Sequence, residues 1–453
     1  VRAHQGISLL QGWFPLTLEI VTVVVLIVVI GWRTKRWRLI WLPISVAVGI
    51  AGALAARTYM NSQGLADDPA PQPLWIWTAV FVGAIAVAVV GWRGTRWWRR
   101  ALSVLVLPLC FVCVTLVLNQ WVGYFPTLSA VWGAITAGPL PDEVDASDLA
   151  GLRGTAPTTG KVVEVDIPDN GSDFKHRSEY VYLPPAWFAG DTPPKLPVLM
   201  MIGGEFNTAP DWMRSGDAIS VVDSYAAAHA GRTPILVFVD SSGSFNTDTE
   251  CVDGPRGNAA DHLTKDVRPY MVSQFGASND AVNWGIVGWS MGGTCAVDLT
   301  TMHPDQFTAF EDIAGDIGPA AGTKDQTIAR LFGGDADKWA SYDPMTVMAT
   351  HGPYVGIAGW FEDTGQQPNA QKSARPGGHG NYHPPVASAP NGFGGHDDSM
   401  MVVQKDAAEK LCAAASAQSI DCSVHTVVSG HTWQFATQAF ADALPWIAGR
   451  IGA

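Results

Sequence analysis

Residues 284–302 read Trp284-Gly285-Ile286-Val287-Gly288-Trp289-Ser290-Met291-Gly292-Gly293-Thr294-Cys295-Ala296-Val297-Asp298-Leu299-Thr300-Thr301-Met302. A short apolar run leads into Gly-x-Ser-x-Gly, and a helical pattern follows. Strand, tight turn and helix in this order form the setting of a nucleophile elbow. The flanking glycines permit a strained turn with Ser290 at its tip. The helix behind it would direct partial positive charge and free N–H groups toward the serine. Ser290 is therefore the expected nucleophile, weighed against a merely structural Gly-Ser turn.

Working outward, short apolar runs alternate with helical segments. Strands are expected at Tyr180–Leu183, Leu196–Ile202, Ile235–Val239, Trp284–Val287, Val355–Gly359 and Cys422–Val428. Helices are expected at Asp217–Ala230, His262–Phe275, Gly292–His303 and Asp398–Ala417. This alternation predicts an α/β domain over 161–453, with a mostly parallel sheet covered by helices on both faces.

A serine nucleophile needs a base, and in this arrangement the acid and then the histidine follow it in the chain. His431, in Ser429-Gly430-His431-Thr432-Trp433 after the last strand, fits best; His303 reads as a helix end, and His351 and His425 as loop and strand positions. The acid should follow the strand ending near Gly359. Asp363 leads, with Asp398 and Glu362 as alternatives. A Gly/Pro/His-rich insertion over 366–395 separates the candidates and reads as a loop, with a lid over the cleft as one use for it. Asp397 and Asp398 could equally cap the next helix. His379, His383, His396, Asp397 and Asp398 match no standard metal-ligand spacing. No metal or cofactor is expected. Trp212, Phe245, Trp360 and Trp433 could line an acyl or headgroup pocket, or could be core.

The first 120 residues read differently. Four apolar stretches, about Phe14–Trp32, Leu39–Ala56, Leu74–Trp92 and Ala101–Leu118, have the ~17–25 residues that cross a bilayer as a helix. They are apolar all round, unlike the amphipathic helices of a soluble bundle. They form two hairpins that look duplicated: Gly31-Trp32-Arg33 and Gly91-Trp92-Arg93 occupy matching places, each followed by a basic and aromatic cluster. These clusters read as ordinary interfacial decoration, or as a module that holds lipid headgroups. The two Arg-rich turns predict that they face the cytoplasm. Both termini and the domain over 161–453 would then be extracytoplasmic. Residues 121–160, with Gly138-Pro139-Leu140-Pro141 and an acidic run, read as an exposed linker.

Charge supports two environments in one chain. Residues 1–150 carry 10 Lys/Arg and 7 Asp/Glu, whereas the remainder carries 18 and 34. The formal net charge of −13 argues against nucleic-acid binding. Cys110 and Cys113 fall inside the fourth span. Cys251, Cys295, Cys412 and Cys422 are an even set in the second domain, and Cys412–Cys422 and Cys251–Cys295 are the favoured pairs.

From about residue 160 to 447 the chain resembles the esterase D group of α/β-hydrolases, which includes the secreted antigen 85 mycolyltransferases. The similar stretches run in order: Val198-Leu199-Met200-Met201-Ile202-Gly203-Gly204, Gly243-Ser244-Phe245-Asn246-Thr247-Asp248, the Gly288–Gly292 elbow, His303-Pro304-Asp305-Gln306-Phe307, Asp343-Pro344-Met345 and Gly430-His431-Thr432-Trp433. The resemblance implies Ser290 as nucleophile and His431 as base. It implies an oxyanion hole from the backbone N–H groups of Met291 and Glu205. The secreted mycolyltransferases have no membrane anchor, so an anchored relative looks more like an enzyme of envelope lipids. Actinobacterial aminoacyl-phosphatidylglycerol hydrolases are one such group.

The reading is a membrane-anchored extracytoplasmic serine esterase acting on a lipid-borne ester. Its rivals are an acyltransferase sharing the same triad, a non-catalytic scaffold on a hydrolase fold, and a transporter. The near absence of polar residues within the spans argues against the transporter. Substrate and oligomeric state stay open.

Overall fold

In the computed structural model, which describes residues 7–62, 70–92, 95–136, 138–155, 157–244, 247–365 and 404–453, the run ending at Trp289 is the fifth of eight strands in one sheet. The strands are β1 (Lys161–Val165), β2 (Glu179–Leu183), β3 (Val198–Ile202), β4 (Ile235–Val239), β5 (Trp284–Trp289), β6 (Ala309–Ile313), β7 (Ala358–Gly365) and β8 (Asp421–Val428). Their spatial order is β1-β2-β4-β3-β5-β6-β7-β8, with β2 antiparallel to both neighbours and the run from β4 to β8 parallel. Helices Met291–Met302, Pro344–His351 and Gln404–Ala417 pack together on one face, and Ala218–Ala228 and Trp433–Ile451 pack together on the other. With both faces covered, every residue of β3, β4 and β5 is buried. This explains why those strands read as unbroken apolar runs. Four described residues form two disulfides, Cys251–Cys295 and Cys412–Cys422.

Three strands depart from expectation. β1 and β6 were not expected, and the strand placed at Val355–Gly359 begins instead at Ala358, leaving Val355 91% exposed. For β6, and for the extension of β7 past Gly359, the cause is a set of acidic residues inside the sheet. Glu311 and Asp312 in β6, and Glu362 and Asp363 in β7, are all buried. Burial pushes the carboxyls of Glu311, Asp312 and Glu362 above their ordinary range, which favours the uncharged form. An acid kept neutral can occupy a strand interior that its charged form would avoid.

The chain divides into two compact units, Val1–Ala137 and Gly138–Ala453. The first holds four long apolar helices: α1 (Trp13–Ile30), α2 (Leu42–Ser62), α3 (Gln72–Gly91) and α4 (Trp97–Val122). Each is long and apolar enough to cross a membrane. Large apolar side chains such as Leu16, Ile27 and Leu54 point outward, as lipid-facing positions require. α2 and α3 approach through small residues. A Cβ at Gly49 would collide with the Ala79 carbonyl, and one at Gly52 would meet Val82.

The stretch 121–160 is, in its described residues, folded rather than an exposed tether. Its first part adds a helix, Leu128–Ile135, held to the start of the chain by Leu9 N–H to Pro126 O and Leu128 N–H to Ile7 O. Its second part contains the short helix Ala146–Leu152 and joins the sheet unit through Val144 N–H to Val162 O, with Leu140 buried. The Pro/Gly composition signalled a break, which falls at 137/138. The apolar residues on either side of it pack onto their own units.

Candidate active site

Ser290 stands between β5 and the helix Met291–Met302 with φ 58° and ψ −122°, a conformation that side-chain-bearing residues rarely adopt. The turn is tight on both sides. A Cβ at Gly288 would collide with Gly292 O, and one at Gly292 with Ile202 O. Both glycines are therefore required by close backbone approach. Ser290 N–H donates to Ile313 O (2.8 Å) and Gly293 N–H to Ser290 O (2.7 Å), which holds the strained residue in place.

His431 follows β8. Its Nε2 lies 3.0 Å from Ser290 Oγ, a hydrogen-bond distance. The ring packs at 4.2 Å on the indole of Trp289, which in turn packs on Trp433 and Phe435 at the start of the C-terminal helix. Burial lowers the pKa of His431 to about 4, with Asp316 acting in the opposite sense. The imidazole is thus neutral at physiological pH and free to accept a proton.

The expected oxyanion loop lies beside the serine. A Cβ at Gly204 would come within 3.1 Å of Ser290 Cβ and 3.3 Å of Trp289 O. Gly204 N–H donates to Asn207 Oδ1 (2.9 Å), and Asn207 N–H to Gly204 O (3.1 Å), closing a tight turn around Glu205. Met291 opens the helix, where the first N–H groups have no intrahelical acceptor. This arrangement can support attack of an activated hydroxyl on a carbonyl, with backbone N–H groups near the developing oxyanion.

The turn is braced by groups that local sequence patterns did not reveal. Arg177 Nη2 donates to Asn207 O (2.8 Å) and to Asp240 Oδ1 (2.6 Å), while Arg177 Nε and N–H both donate to Asp240 Oδ2. This fork ties the segment before β2, the end of β4 and the loop after β3. Its members are 30 and 63 residues apart, so no local motif announces it.

Of the three acid candidates, Glu362 is engaged elsewhere, with Oε2 accepting from Trp360 Nε1 at 3.0 Å. Asp363 is buried near the end of β7 and accepts from Thr364 N–H at 2.9 Å through Oδ1. Asp398, the insertion 366–395, and His379, His383, His396 and Asp397 lie outside the described residues. So does Phe245. The other proposed pocket aromatics differ: Trp212 and Trp433 are buried against each other at 5.2 Å as core, whereas Trp360 is half-buried and stacks on His425 at 3.6 Å.

Several acidic residues meet around Glu250, and one of them, Asp316, also acts on His431. Glu250 is buried, and burial together with Asp248, Asp316 and Glu205 pushes its carboxyl well above the ordinary range. Asp248 also meets Arg256 at 3.1 Å. Elsewhere, His176, Glu179 and His262 bring possible metal-ligating atoms within 4.8 Å of one another. Their ring nitrogens already face acceptors. His176 meets the carbonyls of Arg177 and Ile167, and His262 meets Glu179 and Asp266. A metal would have to displace these bonds, and the group reads as a brace between segments.

Strand order, strained serine turn and facing histidine define a serine hydrolase of the α/β type. The family model Esterase matches residues 175–447, more than half of the chain, and the chain belongs to that family. It is a carboxylic ester hydrolase. An uncharacterized protein of Corynebacterium glutamicum, Cgl0967/cg1104, is 28% identical over 437 residues, covering 93% of this chain and 91% of the relative. Among solved structures, the S-formylglutathione hydrolase of Agrobacterium tumefaciens is 16% identical, with a TM-score of 0.48 over 65% of this chain and 97% of that one. MPT51 (FbpC1) of Mycobacterium tuberculosis is 17% identical, with a TM-score of 0.39 over 63% and 97%.

Proposed function

We propose that this protein is a membrane-anchored esterase whose sheet unit lies outside the cytoplasm and hydrolyses an ester carried by an envelope lipid. The observation that carries the reading is the 3.0 Å approach of His431 Nε2 to Ser290 Oγ at a strained turn. Ser290 Oγ attacks the ester carbonyl as His431 Nε2 takes its proton. The N–H groups of Met291 and Glu205 stabilise the oxyanion, each donor being worth about 3 kcal/mol in such sites. The leaving alcohol takes the proton from His431. Water then attacks the acyl-enzyme, giving one proton to His431, which returns it to Ser290. Asp363 is the first candidate to orient His431, and Asp398 the second.

Two observations support the substrate class. Four helices suited to a bilayer would keep the unit near lipid. Asp316, whose carboxylate acts on the His431 imidazole, favours an acyl group bearing a cation. An aminoacyl ester of phosphatidylglycerol combines both features. The basic turns at one end of the bundle and the two disulfides support the extracytoplasmic placement.

The test is amino-acid release from vesicles containing lysyl-phosphatidylglycerol, with the full chain and its Ser290→Ala variant. Release by the wild type alone supports the reading. Turnover of a simple aryl ester without release from the lipid would contradict the lipid assignment. Acyl transfer to an added glycan or lipid alcohol, faster than to water, would favour the acyltransferase.

A further inference from the structure

The glycines of the two Gly-Trp-Arg motifs each face an arginine of the other helical hairpin. Arg33, at the end of α1, donates to Gly91 O at the end of α3 (3.1 Å) and to Val29 O (2.8 Å). A Cβ at Gly91 would come within 2.8 Å of Arg33 Nη1. Reciprocally, a Cβ at Gly31 would come within 2.8 Å of Arg99 Nη1. Each glycine thus makes room for the arginine of the opposite hairpin. Tryptophans complete the cluster. Arg33 lies over Trp37 (4.1 Å), Arg38 over Trp32 (4.2 Å), Arg99 over Trp98 (5.1 Å) and Arg100 over Trp92 (5.8 Å).

This packing brings like charges together. The carbonyls at the ends of α1 and α3 offset Arg33 in part. The Nε atoms of Arg33, Arg38, Arg99 and Arg100 are all buried without a hydrogen-bond partner. Among the described residues of the helical unit the only acidic one is Glu19, in the first half of α1, away from the helix ends where the arginines gather. Four guanidiniums whose Nε donors lack an acceptor, packed on indoles at the end of a membrane bundle, call for an anion from outside. The planar fork of arginine matches phosphate oxygens.

We propose that Arg33 and Arg99, flanked by Arg38 and Arg100, form a binding site for a phosphate group, that of an anionic phospholipid headgroup. The site lies wholly within the helical unit and is independent of the esterase reading.

The test is native mass spectrometry of the detergent-extracted full chain, titrated with phosphatidylglycerol and with phosphatidylcholine. The expected result is a preference for phosphatidylglycerol that Arg99→Gln reduces about tenfold. Arg99→Lys, which keeps the charge but not the fork, should lie between and guards against loss of folding. The double variant Lys35→Gln, Arg36→Gln removes two exposed charges from the turn that holds Arg33 and should cost less than Arg99→Gln alone. Variants share an intact sheet unit, so lipid bound there cancels from the comparison. Competition by inorganic phosphate would assign the site to a soluble phosphate, and failure to compete would assign it to the lipid. Equal binding of both lipids, or a larger loss in the Lys35/Arg36 double variant than in Arg99→Gln, would overturn the proposal.

Discussion

Cys251, left-handed at φ 51°, is bonded through sulfur to Cys295, on the helix that Ser290 opens. Its neighbour Glu250 is also left-handed, at φ 49°. Two consecutive residues in this conformation are costly, and the bond holds them against the helix behind the serine. Replacing both cysteines by serine should lower stability by about 2–5 kcal/mol. Thermal unfolding of the detergent-extracted chain, with and without reductant, checks this. An unchanged midpoint in the double variant would count against it.

Asn207 holds the turn around Glu205 by accepting from Gly204 N–H. Asn207→Ala should therefore loosen an oxyanion donor and leave substrate contacts largely in place. The expected outcome is a fall in kcat of about tenfold to a hundredfold with little change in KM. A change confined to KM would place Asn207 in substrate binding instead.

The pH profile follows from His431. Burial holds it down to about 4, so the neutral base survives as pH falls past the ordinary histidine value of about 6.5. The acidic limb of kcat/KM should lie well below 6.5, toward 4. The same burial makes the folded chain bind this proton more weakly than the unfolded chain. The group therefore withdraws stability as pH falls from about 6.5 toward 4. An acidic limb at 6.5 or above would contradict this assignment.

Glu311 acts in the opposite sense. Its carboxyl is fully buried, both oxygens lack partners, and burial pushes it well above the ordinary range. The unfolded chain releases this proton near pH 4.3, while the folded chain keeps it. Stability is therefore lost as pH rises above about 4.3. Glu311→Gln removes the ionisation and should raise the unfolding midpoint at pH 8 but not at pH 4. Equal effects at both pH values would show that packing dominates.

The strands around the serine and the serine–histidine pair were legible because each is announced locally. β3, β4 and β5 are unbroken apolar runs, and Gly288 and Gly292 bracket Ser290 because the backbone closes too tightly there for a side chain. The cysteine pairs were legible as an even set in one unit. β6 and the true extent of β7 were hidden because Glu311, Asp312, Glu362 and Asp363 look like loop residues, yet all four are buried in the sheet. The brace of Arg177, Asp240 and Asn207 was hidden because it exists only once β2, β3 and β4 are assembled. The helical repeat was visible as Gly-Trp-Arg twice. The contact of each glycine with an arginine of the other hairpin was not visible, because it exists only once the helices are assembled.

The central claim is that Ser290 is an activated nucleophile served by His431. Labelling of the detergent-extracted full chain with a fluorophosphonate probe tests it most directly, with Ser290→Ala and His431→Ala alongside. The account predicts labelling of the wild type, none in Ser290→Ala, and labelling slowed by at least about a hundredfold in His431→Ala. Labelling that persists in a folded Ser290→Ala variant, or a folded wild type that stays unlabelled, would contradict it.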